Sequence, residues 1–290
     1  MKREIQTGRT SLRVRTVSIG SVRVGGDAPL ALIAGPCVIE DRAGCLDLAG
    51  RLARWAKAAR VPFIFKASYD KANRTSHTAY RGPGLLEGLA ILAEVKRRFS
   101  VPVLTDVHTA EEAEAAAEVV DAIQIPAFLS RQTDLLLAAG RTGRAVNIKK
   151  AQFMAPWDIQ HAVAKVESTG NRNILLTERG VSFGYNTLVV DMRSLPILRT
   201  FGYPVVFDAT HSVQRPGGAG GASSGDGALA PVLARAAVAA GCDAVFMETH
   251  IEPARALSDK DNAIAWAALR KLWPLLAQID RLVKRGKAAE

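Results

Sequence analysis

The sequence has few cysteines and no long apolar run. Its 290 residues include three cysteines, Cys37, Cys45 and Cys242. This small, odd number argues against a disulfide framework and favours a reducing compartment. No apolar segment is long enough to cross a membrane, and residues 1–20 lack the apolar core of a signal peptide. We therefore expect a cytoplasmic protein without a membrane partner.

The sequence is also poor in aromatic residues, which make up 6% of the chain, although its formal net charge is +10. Proteins that bind nucleic acid combine basic runs with aromatic side chains, and no such run occurs here. This excludes a nucleic-acid partner as the leading interpretation. Two interpretations remain, a solvated basic surface and a focused positive potential that attracts a small anionic substrate. The positions of the charges decide between them.

Short apolar segments alternate with Ala- and Leu-rich segments of helical spacing. The continuous apolar runs are typical of parallel strands buried on both faces. Eight such pairs predict an α/β protein with a (β/α)8 TIM barrel. An open doubly wound sheet is the weaker alternative, because no glycine-rich nucleotide loop follows the first strand. The predicted strands are Leu30–Ala34, Pro62–Lys66, Pro102–Asp106, Ala122–Pro126, Ala145–Lys149, Asn173–Glu178, Pro204–Asp208 and Ala244–Glu248. The predicted helices are Leu46–Ala59, Leu85–Phe99, Ala110–Val119, Thr133–Ala139, Pro156–Ser168, Ser194–Phe201, Ala228–Ala240 and Ala263–Leu282.

Two further segments complete the predicted organisation. Ser11–Ile19 and Ser21–Val24 alternate polar and apolar residues around Gly20, which predicts an N-terminal β-hairpin that closes the bottom of the barrel. We therefore divide the chain into a hairpin extension, residues 1–28, and one catalytic barrel domain, residues 29–290. The Gly- and Ser-rich segment Pro216–Gly227 follows the seventh strand and is expected to be a mobile active-site loop.

Positively charged residues follow several of the predicted strands. Active sites of such barrels lie at the carboxyl ends of the strands, so we expect these cations to face one mouth. Phosphate and carboxylate groups are the anions that fit them. Structural pairing with Asp106, Asp208 and Glu178 is the alternative, and we expect it to account for only some of them. The cations are Lys66, Lys71, Arg74, Lys149, Lys150 and Arg179.

A second set of residues has the chemistry of metal ligands. Cys37, His211 and Glu248 end strands that become neighbours when the barrel closes, and Asp259 follows the last strand. A thiolate, an imidazole and two carboxylates suit one divalent ion such as Zn2+, Fe2+ or Mn2+ better than Mg2+. A cysteine at a strand end is, however, more often a small packed side chain, and a single histidine more often a hydrogen-bonded core group.

The motifs at these strand ends resemble those of the 3-deoxy-D-manno-octulosonate 8-phosphate synthases, also called 2-dehydro-3-deoxyphosphooctonate aldolases. The resemblance runs in order from about Leu30 to Asn262. Its most specific part is Lys71-Ala72-Asn73-Arg74, because the related seven-carbon synthases carry Lys-Pro-Arg-Thr there. Other matching motifs include Ala34-Gly35-Pro36-Cys37, Phe65-Lys66-Ala67-Ser68, Thr105-Asp106-Val107-His108, Arg131-Gln132-Thr133-Asp134, Asn147-Ile148-Lys149-Lys150, Phe183-Gly184-Tyr185-Asn186 and Asp208-Ala209-Thr210-His211. The loop Ser224-Gly225-Asp226-Gly227 departs from the family pattern.

The resemblance implies a function and a role for each site residue. The implied reaction condenses phosphoenolpyruvate with D-arabinose 5-phosphate and water, a step toward the inner-core sugar of lipopolysaccharide. Phosphoenolpyruvate would be held by Lys66, Ser68, Lys71, Lys149, Arg179 and the backbone at Ala127, and Gln124 is a further substrate-binding residue. Arabinose 5-phosphate would be held by Asn73, Arg74, Thr75 and Asp106, with Arg131 reaching its phosphate near a subunit interface of a homotetramer.

The resemblance also implies the catalytic groups and the metal requirement. His211, Asp106, Lys149 and Asp208 are the expected catalytic residues. Cys37, His211, Glu248 and Asp259 would bind one divalent transition metal per chain, and no organic cofactor is expected. A metal-free branch of the family carries Asn at the position of Cys37, so this cysteine predicts the metal-dependent branch. The alternatives are the seven-carbon synthase using erythrose 4-phosphate, a Schiff-base aldolase, and a non-enzymatic basic binding protein.

Overall fold

A computed structural model of the chain describes residues 14–218 and 223–289. Residues 11–13 of the predicted hairpin and 219–222 of the predicted loop lie outside this range. The strands of the described part are, in chain order, β1 (Val17–Ile19), β2 (Val22–Val24), β3 (Ala31–Gly35), β4 (Phe63–Lys66), β5 (Val103–Asp106), β6 (Ala122–Ile125), β7 (Ala145–Lys149), β8 (Ile174–Glu178), β9 (Val181–Ser182), β10 (Leu188–Val189), β11 (Val205–Asp208), β12 (Gln214–Arg215), β13 (Ser224–Gly225), β14 (Ala244–His250) and β15 (Ile264–Ala265).

Eight of these strands form a closed parallel barrel. The order β11-β8-β7-β6-β5-β4-β3-β14 is closed by pairing of β11 with β14. The register places Glu248 beside Gly35 and Asp208 beside Phe246, so the ends of β3, β11 and β14 are neighbours. This confirms the predicted TIM barrel and contradicts the open-sheet alternative.

Helices follow the barrel strands and cover their outer faces. The helix α1 begins at Arg42 because Asp41 caps it, its side chain accepting a hydrogen bond from the Gly44 amide. The last helix contains Pro274 in its interior. The helices are α1 (Arg42–Ala59), α2 (Leu85–Phe99), α3 (Ala110–Ala117), α4 (Thr133–Arg141), α5 (Gln160–Glu167), α6 (Ser194–Arg199), α7 (Ala230–Ala240) and α8 (Trp266–Ala289).

The N-terminal hairpin of β1 and β2 fills the bottom of the barrel. Val17 pairs with Val24 and Ile19 with Val22. These four side chains are buried in one cluster with residues from the first halves of the barrel strands, including Ala31. The predicted hairpin is thus confirmed where it is described. Because it covers the amino ends of the strands, the opposite end is left for the polar residues.

Within the described residues, no helix is both long and apolar enough to cross a membrane.

All three cysteines are buried and free. Burial, with a smaller contribution from Asp41, raises the pKa of Cys45 to about 12, so this thiol stays protonated. Cys45 and Cys242 therefore act as small packed side chains.

Candidate active site

A chain of hydrogen-bonded polar side chains crosses the carboxyl ends of β4 to β8. Ser68 donates to Asp106 Oδ2 over 2.5 Å, and Gln124 donates to the other oxygen of Asp106. Gln124 in turn accepts from Asn147 over 2.9 Å, and Asn147 accepts from Thr177 over 2.6 Å. All five side chains are buried. Buried polar groups that are mutually satisfied fix one another in place, so this chain gives the mouth a rigid floor.

Two lysines lie beside this floor, against Glu248. Lys66 Nζ donates to the Cys37 carbonyl at 3.0 Å and to Ser68 Oγ at 2.8 Å, and lies 3.3 Å from Glu248 Oε1. Lys71 Nζ lies 3.4 Å from the same oxygen and 4.0 Å from Asp106 Oδ2. Lys66 is 1% exposed. The close contact of β3 with β4 requires Gly35, because a Cβ atom there would lie 1.9 Å from the Lys66 carbonyl oxygen.

A second group of charges lies across the mouth, around Asp208. Lys149 Nζ and His211 Nδ1 are each 2.7 Å from Asp208 Oδ2. Lys149 Nζ also lies 4.2 Å from the centre of the Phe246 ring, within range of a cation–π interaction. Two hydrogen-bonded partners thus hold the Asp208 carboxylate, and this carboxylate fixes the orientation of the His211 ring.

The positive side chains of this mouth stabilise the ionised forms of its two buried carboxylates. Burial raises the pKa of Asp106, but Lys66 and Lys71 outweigh it and hold this pKa well below its usual range. Burial likewise opposes ionisation of Asp208, and His211 and Lys149 reverse the effect, so the pKa of Asp208 is lowered. Both carboxylates are therefore ionised at neutral pH, in a site from which most water is excluded.

Three of the predicted metal ligands meet at the ends of β3 and β14. One ligand atom each of Cys37, Glu248 and Asp259 lie within 4.8 Å of one another. The fourth, His211, has its Nε2 atom 3.5 Å from Glu248 Oε1 and 3.7 Å from Asp259 Oδ2. The structure thus brings together all four side chains that the sequence singled out, at one edge of the cationic mouth.

The donor set fits a divalent transition metal. Glu248 Oε2 is buried and has no hydrogen-bond partner among the described residues, and such an atom calls for an ion or another partner. His211 Nδ1 faces the Asp208 carboxylate, which leaves Nε2 directed at Glu248 and Asp259, an arrangement common to metal-binding histidines. Burial and the neighbouring Asp259 raise the pKa of Cys37 well above its usual value, so metal binding would have to displace the thiol proton.

Arg179 reaches the same mouth from the end of β8. Its Nη2 atom donates to the His211 carbonyl at 3.1 Å and to Gln214 Oε1 at 3.0 Å. Its Nη1 atom is buried and has no hydrogen-bond partner in the described part of the chain. Burial lowers the pKa of Arg179, and the surrounding carboxylates partly oppose this effect. A buried guanidinium nitrogen without a partner is a ready donor for an anionic ligand.

Lys150 does not join the other cations, which corrects the expectation that it faces the mouth. Its Nζ atom lies 3.4 Å from Glu178 Oε1 and 3.2 Å from the Met154 carbonyl. Successive side chains of a strand point to opposite faces. Because Lys149 points into the barrel, Lys150 points away from it and is part of the structural framework outside β7.

Of the residues expected to bind the sugar phosphate, Asp106 lies in the floor of the mouth, and the others lie outside this floor. Arg74 donates to the Tyr80 carbonyl at 2.9 Å and to the Leu257 carbonyl at 3.2 Å. Asn73 and Thr75, in the same loop, are exposed. Ala127 is buried at the start of a 3-10 turn after β6, and Arg131 is exposed beyond that turn.

Sequence reasoning missed several side chains that complete the site. Ser258 Oγ lies 2.8 Å from Cys37 Sγ. Gln214 links Arg179 to Asp259, since its Nε2 atom donates to Asp259 Oδ1 at 3.2 Å. Asn147 and Thr177 extend the polar floor. The two-residue alternation along β7 and β8 would have placed Asn147 and Thr177 inside the barrel, whereas the loop contacts of Ser258 and Gln214 left no signal in the spacing.

The described arms of the loop after β11 pair with each other. Its two arms pair as β12 and β13, with Gln214 opposite Gly225 and Arg215 opposite Ser224. Gly225 packs directly on Asn262, since a Cβ atom there would lie 1.6 Å from Asn262 Oδ1. The departure from the family pattern begins at Asp226, and the Gly227 amide donates to the Asp261 carbonyl over 3.1 Å, in the loop that carries Asp259.

A closed barrel with buried lysines, an arginine and ionised carboxylates at the carboxyl ends of its strands defines a TIM-barrel enzyme for small anionic substrates. Comparison with known sequences gives its family. The profile of the DAHP synthetase I family matches residues 5–285, and the chain belongs to this family.

Individual relatives agree with one another. The chain is 58% identical over 271 residues to a 2-dehydro-3-deoxyphosphooctonate aldolase of Geotalea uraniireducens (strain Rf4), an alignment that covers 93% of this chain and 100% of the relative. It is 57% identical over 270 residues to the protein of that name in Geobacter sulfurreducens, covering 93% and 99%. A protein of the same name in Granulibacter bethesdensis is 57% identical over 274 residues, covering 94% and 97%.

Proposed function

We propose that this chain condenses phosphoenolpyruvate with D-arabinose 5-phosphate and water, giving 3-deoxy-D-manno-octulosonate 8-phosphate and inorganic phosphate. The observation that carries the proposal is the buried cationic mouth of Lys66, Lys71, Lys149 and Arg179, in a chain 58% identical over 271 residues to a 2-dehydro-3-deoxyphosphooctonate aldolase. The product is a precursor of the inner core of lipopolysaccharide. Because phosphoenolpyruvate is a cytoplasmic metabolite, we place the activity in the cytoplasm.

Phosphoenolpyruvate binds by its phosphate and carboxylate among the buried cations. Arg179 offers the unpartnered Nη1 atom, and Lys149 offers a charge already anchored by Asp208. Lys66 and Lys71 share Glu248 Oε1 in the structure. If Glu248 binds the metal ion, these two lysines are free to pair with the substrate anions instead. Ser68, Gln124 and the backbone at Ala127 complete this subsite.

D-arabinose 5-phosphate binds above the phosphoenolpyruvate subsite, toward the exposed loop after β4. Asn73 and Thr75 are exposed there and supply hydrogen bonds to sugar hydroxyls. Arg74 supplies a bidentate contact to the sugar or its phosphate. Asp106, at the floor of the mouth, is ionised and accepts from a hydroxyl. This places the aldehyde over the enol carbon of phosphoenolpyruvate, and fixing both partners supplies most of the entropic advantage.

The metal centre consists of Cys37, His211, Glu248 and Asp259. Their thiolate, imidazole and carboxylate donors suit Zn2+, Fe2+ or Mn2+, and the sulfur disfavours Mg2+. When bound, such an ion supplies Lewis-acid chemistry, either polarising the aldehyde or acidifying water. The support is the distance of the ligand atoms, within 4.8 Å for three of the residues, and the unpartnered Glu248 Oε2 atom.

The reaction forms one carbon–carbon bond and breaks one carbon–oxygen bond. C3 of phosphoenolpyruvate bonds to the aldehyde carbon, and the aldehyde oxygen takes a proton. Water adds to C2, and its oxygen becomes the C2 carbonyl oxygen as the bond from C2 to the bridging oxygen breaks and phosphate leaves with that oxygen. One proton of the water balances the proton taken by the aldehyde oxygen, and the other leaves with the phosphate. Asp208, whose Oδ2 atom lies 2.7 Å from both His211 Nδ1 and Lys149 Nζ, orients these two groups in the mouth. Lys149 and Arg179 stabilise the charge of the departing phosphate.

Labelled substrate tests this reaction. We expect inorganic phosphate and the eight-carbon 2-keto acid phosphate to form in equal amounts from phosphoenolpyruvate and arabinose 5-phosphate. With phosphoenolpyruvate carrying 18O at the bridging position, mass spectrometry should find the label in inorganic phosphate. Label retained in the sugar product would contradict the proposed bond cleavage. Trapping of a covalent lysine adduct with borohydride would favour a Schiff-base aldolase instead.

The assembly is proposed to be a homotetramer in which Arg131 reaches the sugar phosphate of a neighbouring subunit. Arg131 is exposed, and Phe153, which lines the same surface pocket, is 62% exposed. Contiguous exposed apolar residues mark protein interfaces. Analytical ultracentrifugation should give four times the chain mass of 31.0 kDa. A monomer with full activity would contradict this arrangement.

A further inference from the structure

The backbone of Leu257 is held at both its amide and its carbonyl. Its amide donates to Glu40 Oε1 over 2.7 Å, and its carbonyl accepts from Arg74 Nη2 over 3.2 Å. The side chain of Leu257 is 53% exposed. Since this side chain contributes little burial, the two hydrogen bonds are what fix the backbone of the loop at this point.

Glu40 is itself firmly placed. Its carbonyl accepts from the Tyr80 hydroxyl at 2.8 Å, and that hydroxyl also lies 3.1 Å from the Ile39 carbonyl. The Ile39 amide donates to the Ser68 carbonyl at 2.9 Å, which ties this segment to the active-site floor. The second carboxylate oxygen of Glu40 lies 3.7 Å from His250 Nε2. Glu40 thus connects the fixed end of β3 with the loop that follows β14.

The two residues after Leu257 both contact Cys37, a ligand of the proposed metal centre. Ser258 Oγ lies 2.8 Å from Cys37 Sγ, and Asp259 Oδ2 lies 3.2 Å from the same sulfur. Asp259 has a φ angle of +47°, in the left-handed region that a non-glycine residue seldom adopts. Such a conformation persists only where surrounding contacts impose it. The Asn262 and Ala263 amides, which donate to the Asp259 carbonyl, impose it from one side.

We propose that Glu40 is a positioning residue that imposes the left-handed conformation of Asp259 from the other side. The hydrogen bond from the Leu257 amide to Glu40 holds Asp259 against Cys37. Through the hydrogen bond from Arg74 to its carbonyl, Leu257 also joins the segment of the metal ligand Asp259 to the loop proposed to bind the sugar phosphate. This inference rests on the proposed metal centre and names a residue outside it. Groups that orient metal ligands commonly change metal affinity about 10- to 100-fold when removed.

The test compares Glu40→Ala, Glu40→Gln and Glu252→Ala with the wild-type protein. The glutamine retains an oxygen that accepts from the Leu257 amide. Glu252 is a matched control, because its carboxylate lies on the same loop, is 61% exposed and contacts Arg255 instead. Metal-free protein is titrated with Co2+, with thiolate-to-cobalt absorption as the readout. We expect about 10- to 100-fold weaker binding for Glu40→Ala and wild-type affinity for Glu40→Gln and Glu252→Ala.

A second measurement does not depend on the metal. Hydrogen exchange of the peptide that contains Leu257 and Asp259, followed in metal-free protein, should be faster in Glu40→Ala than in wild type and unchanged in Glu252→Ala. Equal exchange and equal Co2+ affinity in Glu40→Ala and wild type would overturn the positioning role. Absence of Co2+ binding by the wild-type protein would instead contradict the metal centre, and with it the role assigned to Glu40 toward Asp259.

Steady-state kinetics distinguish a positioning role of Glu40 from a general effect on folding. With saturating metal, kcat of Glu40→Ala should return toward wild type, because the weakened ligand geometry is offset by mass action. The KM for arabinose 5-phosphate should remain several-fold raised, since Arg74 has lost a fixed partner. If kcat of Glu40→Ala were reduced equally at every metal concentration while KM stayed unchanged, the result would show that Glu40 acts only on the fold.

Discussion

Asp208 Oδ2 lies 2.7 Å from His211 Nδ1, and this contact directs the Nε2 atom of His211 toward Glu248 and Asp259. A carboxylate behind a histidine fixes its tautomer and raises its basicity as a ligand. The same oxygen of Asp208 lies 2.7 Å from Lys149 Nζ. One buried carboxylate therefore orients both the proposed metal ligand and a lysine of the substrate mouth.

Asp208→Asn tests this relationship. The amide has no charge for Lys149 and does not select the tautomer of His211, so we expect Co2+ affinity to fall about 10- to 100-fold. Asp191→Asn is the control, because Asp191 pairs with Arg193 on the surface. Unchanged metal affinity in Asp208→Asn, measured by titration of the metal-free protein, would show that Asp208 does not orient His211 as a metal ligand.

Arg179→Ala removes a guanidinium that is aimed at a proposed dianion in a desolvated site. Truncation of one partner in a buried charge pair costs about 2–5 kcal/mol, so kcat/KM should fall by about 30- to several-thousand-fold. Circular dichroism should show a normal fold. Arg172→Ala, which breaks a surface ion pair with Glu167, provides the control. A kcat/KM within about threefold of wild type would refute the role of Arg179, and Lys149→Ala is expected to behave similarly.

Cys37→Asn separates metal binding from the rest of the site. The thiolate is the soft donor, so its loss should weaken binding of Zn2+ and Fe2+ most. If the ion only orients water or the aldehyde, the amide of Asn at position 37 partly replaces the ion. We then expect Cys37→Asn to keep some activity that resists chelators. His211→Ala should lose nearly all activity. Tight Zn2+ binding by Cys37→Asn, measured by metal analysis after dialysis, would show that Cys37 is not a ligand.

Glu112 makes part of the stability dependent on pH. It accepts from the Tyr69 hydroxyl and from the His108 amide, both at 2.7 Å. Burial raises the pKa of Glu112, but hydrogen bonds from His108 and Tyr69 outweigh it and lower the pKa to about 2. A lowered pKa stabilises the folded state above the pKa of the unfolded chain, about 4.3, and this contribution is lost as the pH falls toward 2.

Glu112→Gln should therefore cost about 1 kcal/mol at neutral pH, a figure reduced for partial solvent exposure. The difference from wild type should shrink at about pH 3, where the wild-type carboxyl has lost part of its advantage. Urea denaturation at the two pH values measures this change. Glu114→Gln, on the exposed side of the same helix, should show little effect at either pH. A constant difference would show that packing, not charge, accounts for the cost.

The fold could be predicted because buried parallel strands have a strong sequence pattern. The strand Ala145–Lys149 and the helix Leu85–Phe99 are observed with the predicted bounds. The ends of other helices were less certain. The helix α1 begins four residues before the predicted Leu46, because the cap at Asp41 was not taken into account, and the predicted helix Pro156–Ser168 begins instead with a 3-10 turn at Pro156–Ile159.

The site was predictable only where strands place it. Barrel closure brings Cys37, His211 and Glu248 together, and the strand order fixes that. Lys150 was assigned to the wrong face, because the run of two lysines hides the alternation of side chains. The contacts of Ser258 and Glu40 depend on the path of the loop after β14, which no periodic pattern describes. Such contacts require the three-dimensional structure.

Phosphate release from phosphoenolpyruvate, measured with arabinose 5-phosphate and with erythrose 4-phosphate, each before and after a strong chelator, tests the central claim most directly. The proposed eight-carbon synthase predicts a clearly higher kcat/KM with arabinose 5-phosphate. It also predicts loss of activity after chelation and recovery when Zn2+, Fe2+ or Mn2+ is added. Equal or better kcat/KM with erythrose 4-phosphate would contradict the substrate assignment. Full activity after verified removal of all metal would show that Cys37, His211, Glu248 and Asp259 are a structural polar cluster.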